Sequence, residues 1–196
     1  RGANGVVLIT TKSGKEGQTQ VVFDASHGWS NATHMPKVMG TKEYAELLTK
    51  YKFNGNAPAE LKPFLDGTKP GVDWLDMVLR TGQTDDYKLS LSKGNKDTQL
   101  YVSANYMKNS GVVVGTEFQR YSAKLNVHTQ VYPWLELTAD VQAVRNEGKG
   151  SGMFGMNLDN AIVRALNYSP AMDMYQADGI KFRRDPYNSI SAENPY

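Results

Sequence analysis

The hydrophobic and polar positions between Gln83 and Val144 alternate with a period of two, which is the repeat of a β-strand. Four runs carry this alternation, namely Tyr87–Ser92, Thr98–Met107, Gln119–Val131 and Leu135–Val144. Apart from the end residues Thr98, Gln119 and Val144, one parity is apolar except for Thr129, and the other is polar except for Tyr101 and Met107. The pattern therefore predicts an antiparallel sheet with one apolar face and one polar face.

The N-terminal part of the chain predicts two further strands. Apolar residues alternate again over Gln18–Ser30, where His27 interrupts the apolar side. Val6–Ile9 is a continuous β-branched run, which is typical of a short strand buried on both faces. In addition to this short strand, we predict five sheet strands, at about 19–30, 84–93, 98–108, 118–132 and 134–145.

The long segment between the first two strands contains a predicted amphipathic helix over Thr41–Phe53, because its apolar residues recur with helical spacing. We expect Thr41 to cap the start of this helix and Asn54-Gly55 to end it. A second short helix is predicted over Trp74–Arg80 with Asp73 as its cap, and a third over about 158–166.

The connections between the predicted strands have very unequal lengths. Short turns follow the second and fourth strands, whereas the long connections are 31–82, 109–117 and 146–196. Because alternate connections of an up-and-down meander leave the same end of the sheet, all the long loops belong to one end. Membrane β-barrels have this asymmetry, with short turns on one side and long loops on the other.

The alternation alone fits either a soluble β-sandwich, whose apolar face covers a core, or a membrane barrel, whose apolar face meets lipid. Three features favour the barrel. The predicted strands are long enough to cross a bilayer at a tilt. The connections at the two ends of the sheet differ in length, and Lys124 and Asp140 place charge in the middle of strands. The mean hydropathy of −0.52 does not decide the question, since barrel strands are half polar.

The composition excludes several classes of protein. The 196 residues include 22 basic and 20 acidic side chains, a balance that gives no reason to expect nucleic acid as a partner. There is no cysteine, so neither a disulfide framework nor a thiolate site is expected. No apolar run approaches the roughly 20 residues of a membrane-spanning helix.

No group of residues predicts catalysis, a metal or a cofactor. Gly150–Gly155 matches the spacing G-x-G-x-x-G, but the strand before it is amphipathic rather than buried, so we interpret it as a flexible loop. The histidines, His27, His34 and His128, lack metal-ligand spacing, and His128 is expected to be solvated. No serine lies in a nucleophile elbow. We therefore expect no enzyme activity, no cofactor and no bound metal.

Several stretches resemble the SusC/RagA group of TonB-dependent outer-membrane transporters. The opening RGANGVVLITTKSGK is similar to the last strand of their plug domain. The barrel resemblance is carried by DWLD with LRTG at 73–82, LSLSKG at 89–94, and GVVVG with FQRYS at 111–122. The long loop that follows is similar at Arg164-Ala165-Leu166, Ser169-Pro170, Tyr175 and Asp178-Gly179.

The resemblance implies an all-β fold, an antiparallel up-and-down transmembrane barrel of roughly 22 strands around a plug. Residues 1–17 would be the C-terminal end of the plug, and 18–196 would form about five barrel strands with short helices in the long loops.

The implied function is active uptake of a glycan- or peptide-type nutrient across the bacterial outer membrane. The implied partners are a SusD-like surface lipoprotein, the lipid bilayer, an oligosaccharide or peptide ligand, and the TonB complex, whose contact segment is not in this chain. Asn157, Tyr168 and Tyr175 are candidate ligand contacts in the last loop, through stacking and hydrogen bonding. The alternative reading is a soluble β-sandwich that binds carbohydrate.

Overall fold

The computed structural model describes residues 17–150, 161–176, 178–179 and 183–187. Five strands form one antiparallel sheet in the order β1-β2-β3-β4-β5, so each strand pairs with its neighbours along the chain. The strands are β1 Gly17–Ser30, β2 Gly82–Gly94, β3 Thr98–Ser110, β4 Glu117–Tyr132 and β5 Leu135–Lys149. They begin and end within a few residues of the predicted positions. The run Val6–Ile9 lies outside the described residues.

The predicted division of the sheet into two faces is present in the structure, and Thr129, a polar residue on the apolar face, has a partner there. The hydroxyl groups of Thr129 and Thr98 hydrogen-bond to each other across β4 and β3 at 2.7 Å. Thr98 and Thr129 are both polar residues on the apolar parity, and the one in a strand interior is Thr129. Its hydroxyl therefore has a cross-strand partner, which reduces the cost of placing a polar group on this face.

The apolar face of the sheet is exposed rather than packed. Leu89, Leu137 and Val141 are 50%, 54% and 57% exposed, and Val21 and Phe23 on β1 are more exposed still. The buried hydrophobic residues of the described chain all lie in the loops and helices. The apolar face of this sheet is therefore left unpacked, and the sheet has no core of its own among the described residues.

The polar face carries charges that are paired within the sheet. Asp86 accepts hydrogen bonds from Lys88 and Asn105, the first at 2.7 Å. On the neighbouring strand pair, the ammonium group of Lys124 lies 3.6 Å from the carboxylate of Asp140. His128 is partly exposed, as expected for a solvated position, with 38% of its side chain accessible. Its ring nevertheless has neighbours, because Thr138 and Glu136 lie 3.1 and 3.4 Å from its Nδ1.

Four helices lie in the long connections, namely α1 Thr41–Tyr51, α2 Lys62–Leu65, α3 Trp74–Val78 and α4 Ala161–Asn167. As predicted, Asp73 caps α3 by accepting a hydrogen bond from Asp76 N, and Asn54 and Gly55 follow α1 with left-handed backbone angles. The predicted capping by Thr41 is wrong: the N-cap of α1 is Gly40, without a side-chain hydrogen bond.

Two further differences concern where short helices start and stop. Helix α2 was not predicted because Pro63 stands inside it, yet proline is tolerated in the first turn, where its missing N–H has no helical partner. Helix α3 ends at Val78, short of the predicted Arg80, because Leu79 turns into an extended conformation and pairs with Val113. Within the described residues, no helix is long and apolar enough to cross a membrane.

The described chain forms two compact units. The sheet unit consists of the described residues of 1–28 together with Gln83–Asn109 and Phe118–Gly148. The loop unit consists of Trp29–Gly82, Ser110–Glu117 and the described residues of 149–196. The division at residue 17 between a plug and a barrel remains a prediction.

Candidate ligand site in the loop unit

The loop unit has a hydrophobic core built from two connections that are far apart in the sequence. One cluster joins α3 to α4 through Trp74, Leu75, Val78, Ala165, Tyr168 and Met172. The other joins α1 to α2 and contains Ala45, Leu48, Leu61, Phe64 and Ala171. Since residues 161–187 contribute to both clusters, the two long connections fold together as one packed structure rather than as separate loops.

Trp74 and Tyr168 form the centre of the first cluster. Their rings pack edge to face with 4.9 Å between centroids, and each residue is 3% exposed. The indole Nε1 donates to the carbonyl of Ser169 at 2.9 Å, and the Tyr168 hydroxyl donates to the carbonyl of Arg183 at 2.6 Å. Both polar tips are therefore satisfied inside the protein, as burial of these side chains requires.

A buried carboxylate holds the turn that follows α4. Asp185 accepts hydrogen bonds from the backbone N–H groups of Ser169 and Tyr187, both at 2.8 Å. The hydroxyl of Tyr44 on α1 bonds to the Ser169 side chain, and burial raises the pKa of Tyr44 above its ordinary value of 10.0. This network fixes the backbone next to Tyr168 and ties it to α1.

A cavity of about 340 Å³ opens between these elements. Trp74, Leu75, Ala165 and Tyr168 line its interior, while Val38, Met39 and Leu166 are partly exposed lining residues. A second cavity of about 430 Å³ shares Val38, Asp73 and Leu75 with the first, and Met35, Pro36, Asp76 and Arg80 are among its other lining residues. The first volume is at the lower end of the range found for ligand sites, about 300–1,000 Å³.

The three candidate ligand contacts in the last loop fall in different places. Tyr168 lines the first cavity, but its ring is buried against Trp74 and its hydroxyl is occupied. Tyr175 is 43% exposed and does not line this cavity. Asn157 lies outside the described residues. The structure therefore does not bring the three together, and their role in binding remains a prediction.

Sequence reasoning missed the exposed apolar residues beside the cavity. Val38 and Met39 belong to the short run Met35-Pro36-Lys37-Val38-Met39 within an otherwise polar connection. Residues 31–40 have no regular secondary structure and are exposed throughout. Such a run in a loop is a signal for a binding surface, and methionine in particular is common where a surface must adapt to its ligand.

The described residues offer no arrangement for catalysis or metal binding. No group of three or more histidine or acidic side chains is placed to hold a metal ion in this part of the chain. His27, which interrupts the apolar parity of β1, lies 2.6 Å from the carboxylate of Asp85 on β2, a hydrogen bond between neighbouring strands.

The chain is similar to TonB-dependent receptors. It is 25% identical to TonB-dependent receptor P3 of Formosa agariphila over 200 aligned residues, which cover 100% of this chain and 19% of that protein. It is 32% identical to TonB-dependent receptor SusC of Bacteroides thetaiotaomicron over 128 residues, which cover 65% of this chain and 12% of SusC. The chain thus spans a fifth or less of these relatives. No protein-family model matches it.

Solved structures have the same fold over nearly the whole chain. The RagAB peptide importer in its open-open state matches 99% of this chain and 25% of that chain, with a TM-score of 0.71 and 23% identity. Another structure of the RagAB peptide transporter matches 92% of this chain and 24% of that chain, with a TM-score of 0.71 and 20% identity. At such identities the likeness establishes the fold.

These matches make the chain similar to TonB-dependent receptors, SusC among them, and its fold is that of the RagAB structures. The predicted resemblance is confirmed. The five antiparallel strands match part of the barrel in the solved neighbours, as the family resemblance implied. The relatives are named as receptors and transporters, which agrees with the prediction that the chain is not an enzyme.

Proposed function

We propose that this chain is part of an outer-membrane receptor that takes up a glycan- or peptide-type nutrient by the TonB-dependent route. The observation that carries the proposal is the chemical contrast between the two faces of one sheet. The apolar face is exposed and none of the described residues forms a core against it, whereas the polar face carries paired charges. A barrel wall between lipid and a hydrated interior requires this arrangement.

The dimensions of the apolar face support a lipid environment. Tyr87, Tyr106 and Tyr121 form a continuous row on three strands, with ring centroids 6.4 and 5.0 Å apart. Near the other end of the strands, Tyr132 and Trp134 stack at 5.7 Å. From Tyr121 to Val131 the chain rises about 33 Å along the strand, or about 25 Å at the usual barrel tilt, which matches the apolar band of outer-membrane barrels.

The alternative of a carbohydrate-binding β-sandwich has less support. A sandwich packs two sheets face to face about 10 Å apart over a shared core. The described residues contain a single sheet, and its apolar residues remain exposed. The buried residues lie instead in the loop unit, among helices.

The partners of the proposed receptor follow from its relatives rather than from contacts in this chain. We propose a SusD-like surface lipoprotein as the partner on the outer side and the TonB complex as the source of energy. We also propose Asn157 and Tyr175 as ligand contacts from the last loop. Alanine substitution of either residue should weaken ligand binding without lowering the amount of receptor in the membrane.

Cell fractionation of the complete gene product tests the proposal. We expect it in the outer-membrane fraction, with a faster gel mobility before heating than after, as is usual for a barrel that resists unfolding in detergent. A product found entirely in the soluble fraction, with the same mobility before and after heating, would contradict the proposed function and favour the sandwich.

A further inference from the structure

The methionines that the structure describes differ widely in their exposure to solvent. Met35 and Met39 are 43% and 37% exposed, whereas Met172 is 2% exposed and belongs to the hydrophobic cluster between α3 and α4. The remaining described methionines are half-buried, namely Met77, Met107 and Met174. Exposure therefore separates Met35 and Met39 from the other methionines in the part of the chain that the structure describes.

The position of these two residues in the loop unit adds to their accessibility. Both lie in residues 31–40, which have no regular secondary structure, so no helix or strand packs around them. Met39 lines the first cavity and Met35 lines the second. A small solute therefore reaches these side chains from the surrounding solvent, and their chemistry bears on the polarity of both cavities.

The reactive group of methionine is its thioether, whose sulfur lone pair is nucleophilic. The sulfur attacks one oxygen of a peroxide, the O–O bond breaks, and a sulfur–oxygen bond forms. With hydrogen peroxide, the departing hydroxide takes up the proton of the transferred oxygen and becomes water. The sulfur is thereby oxidised by two electrons to the sulfoxide, and the peroxide is reduced. This chain contains no cysteine, whose thiolate would compete for the oxidant.

We propose that Met35 and Met39 are sites of reversible oxidation by peroxides. The sulfoxide is polar, so the reaction turns the apolar residues that flank Pro36, Lys37 and Val38 into polar ones. A thiol-dependent methionine sulfoxide reductase reverses it, because two thiols join as a disulfide and the sulfoxide oxygen leaves as water. This modification goes beyond the proposed function and does not depend on it, since it requires only that the two thioethers are accessible.

Peptide mapping by mass spectrometry tests this inference on the complete gene product, purified in its folded state. The protein is treated with hydrogen peroxide, samples are quenched at intervals, and the oxidised fraction of each tryptic peptide is measured. Trypsin cleaves after Lys37, so Met35 and Met39 fall in different peptides. Met172 and Met174 share a peptide, and fragmentation of that peptide separates their contributions.

We expect Met35 and Met39 to be oxidised about tenfold faster than Met172, because susceptibility follows exposure. The half-buried methionines should lie between these limits. Heating in dodecyl sulfate removes the fold, so all these methionines should then react at similar rates. Met35→Leu keeps an apolar side chain of similar volume and should leave the oxidation rate of Met39 unchanged. Sulfoxide reductase with dithiothreitol should restore both residues in the folded protein.

Three outcomes would overturn the inference. One is protection of Met35 and Met39 to the level of Met172 in the folded protein. Another is oxidation of all described methionines at one rate before denaturation, and the third is failure of the reductase to restore the two residues. None of these results depends on where the protein fractionates in the cell, so the proposed function stands or falls separately.

Discussion

The indole of Trp74 and the ring of Tyr168 pack edge to face at 4.9 Å, although the two residues belong to different long connections of the meander. Together with the hydrogen bond from Trp74 Nε1 to Ser169, this contact makes residues 74–78 and 161–172 parts of one core. The loops of this protein therefore have internal packing of the kind that normally holds a domain together.

Tyr168→Ala tests whether this residue acts through packing. Removing a buried aromatic ring should lower the free energy of unfolding of the loop unit by about 3–5 kcal/mol. Tyr175→Ala, at a residue that is largely exposed, should change it by about 0.5 kcal/mol or less. Amide hydrogen exchange across residues 161–176 of the complete gene product measures both. Equal protection in the two variants would show that the ring contact contributes little.

Asp185 is predicted to be essential for the turn after α4. Asp185→Ala leaves the backbone N–H of Ser169, a fully buried residue, without its acceptor, so we expect a loss of about 1–3 kcal/mol. Glu46→Ala, on the exposed face of α1, is the control and should be nearly neutral. Faster exchange of the Ser169 amide in the Asp185 variant alone would support the assignment, and unchanged exchange would contradict it.

The loop unit should lose stability in alkaline solution. Burial raises the pKa of Tyr44 and of Tyr168 above the ordinary value of 10.0. The folded protein therefore holds these protons more tightly than the unfolded chain, so their contribution is complete below pH 10.0 and is lost as the pH rises through the folded pKa. Tyrosinate absorbance, recorded with hydrogen exchange of α1 and α4, measures the transition.

Replacing a buried tyrosine by phenylalanine should move this transition. Tyr44→Phe removes the ionisable group, so opening of the loop unit should occur at higher pH than in the unmodified protein, even though the hydrogen bond to Ser169 is lost. Tyr51→Phe is the control, because its ring is 70% exposed. A transition that stays at the same pH in Tyr44→Phe would exclude this tyrosine as a cause.

Arg80 is expected to hold the connection between β3 and β4. Its guanidinium donates to the carbonyls of Gly111 and Thr116, both at 3.0 Å. A lysine has no planar fork to reach both acceptors, so Arg80→Lys should cost about 1 kcal/mol locally, the usual value of a hydrogen bond. Hydrogen exchange at Val114, whose N–H donates to the Val78 carbonyl, reports the loosening. Lys37→Arg, in an exposed loop, is the control for interchanging lysine and arginine at a position without such hydrogen bonds to hold.

The assignment of the apolar face to lipid predicts unequal losses of stability at two neighbouring positions of β5. Val141→Lys places a charge near the middle of the apolar face and should destabilise the membrane-inserted barrel by about 2–4 kcal/mol. Gln142→Lys, one residue on, lies on the polar parity and should have a much smaller effect. The denaturant midpoint of the complete gene product in lipid vesicles distinguishes the two. Similar losses at both positions would argue against lipid on the Val141 side.

Several features of the fold were predictable because they depend on neighbours in the sequence. Alternation with a period of two placed all five strands, and one of its exceptions, Thr129, became understandable only when its partner Thr98 was seen across the sheet. The cap at Asp73 was predictable for the same reason, since it needs only a residue three positions away. The cap at Thr41 was predicted wrongly, because the same type of residue can also stand inside the first turn.

The sequence by itself determined the strands, their two faces and the unequal connections, because a side chain's face in a strand follows from its parity alone. Only the tertiary structure decided that the core lies in the connections, and that α3 and α4 enclose a cavity beside Asp73. The physical reason is that these contacts join residues about a hundred positions apart, and no local periodicity encodes such a pairing. For the same reason, Tyr168 looked like any exposed loop tyrosine until its contact with Trp74 was known.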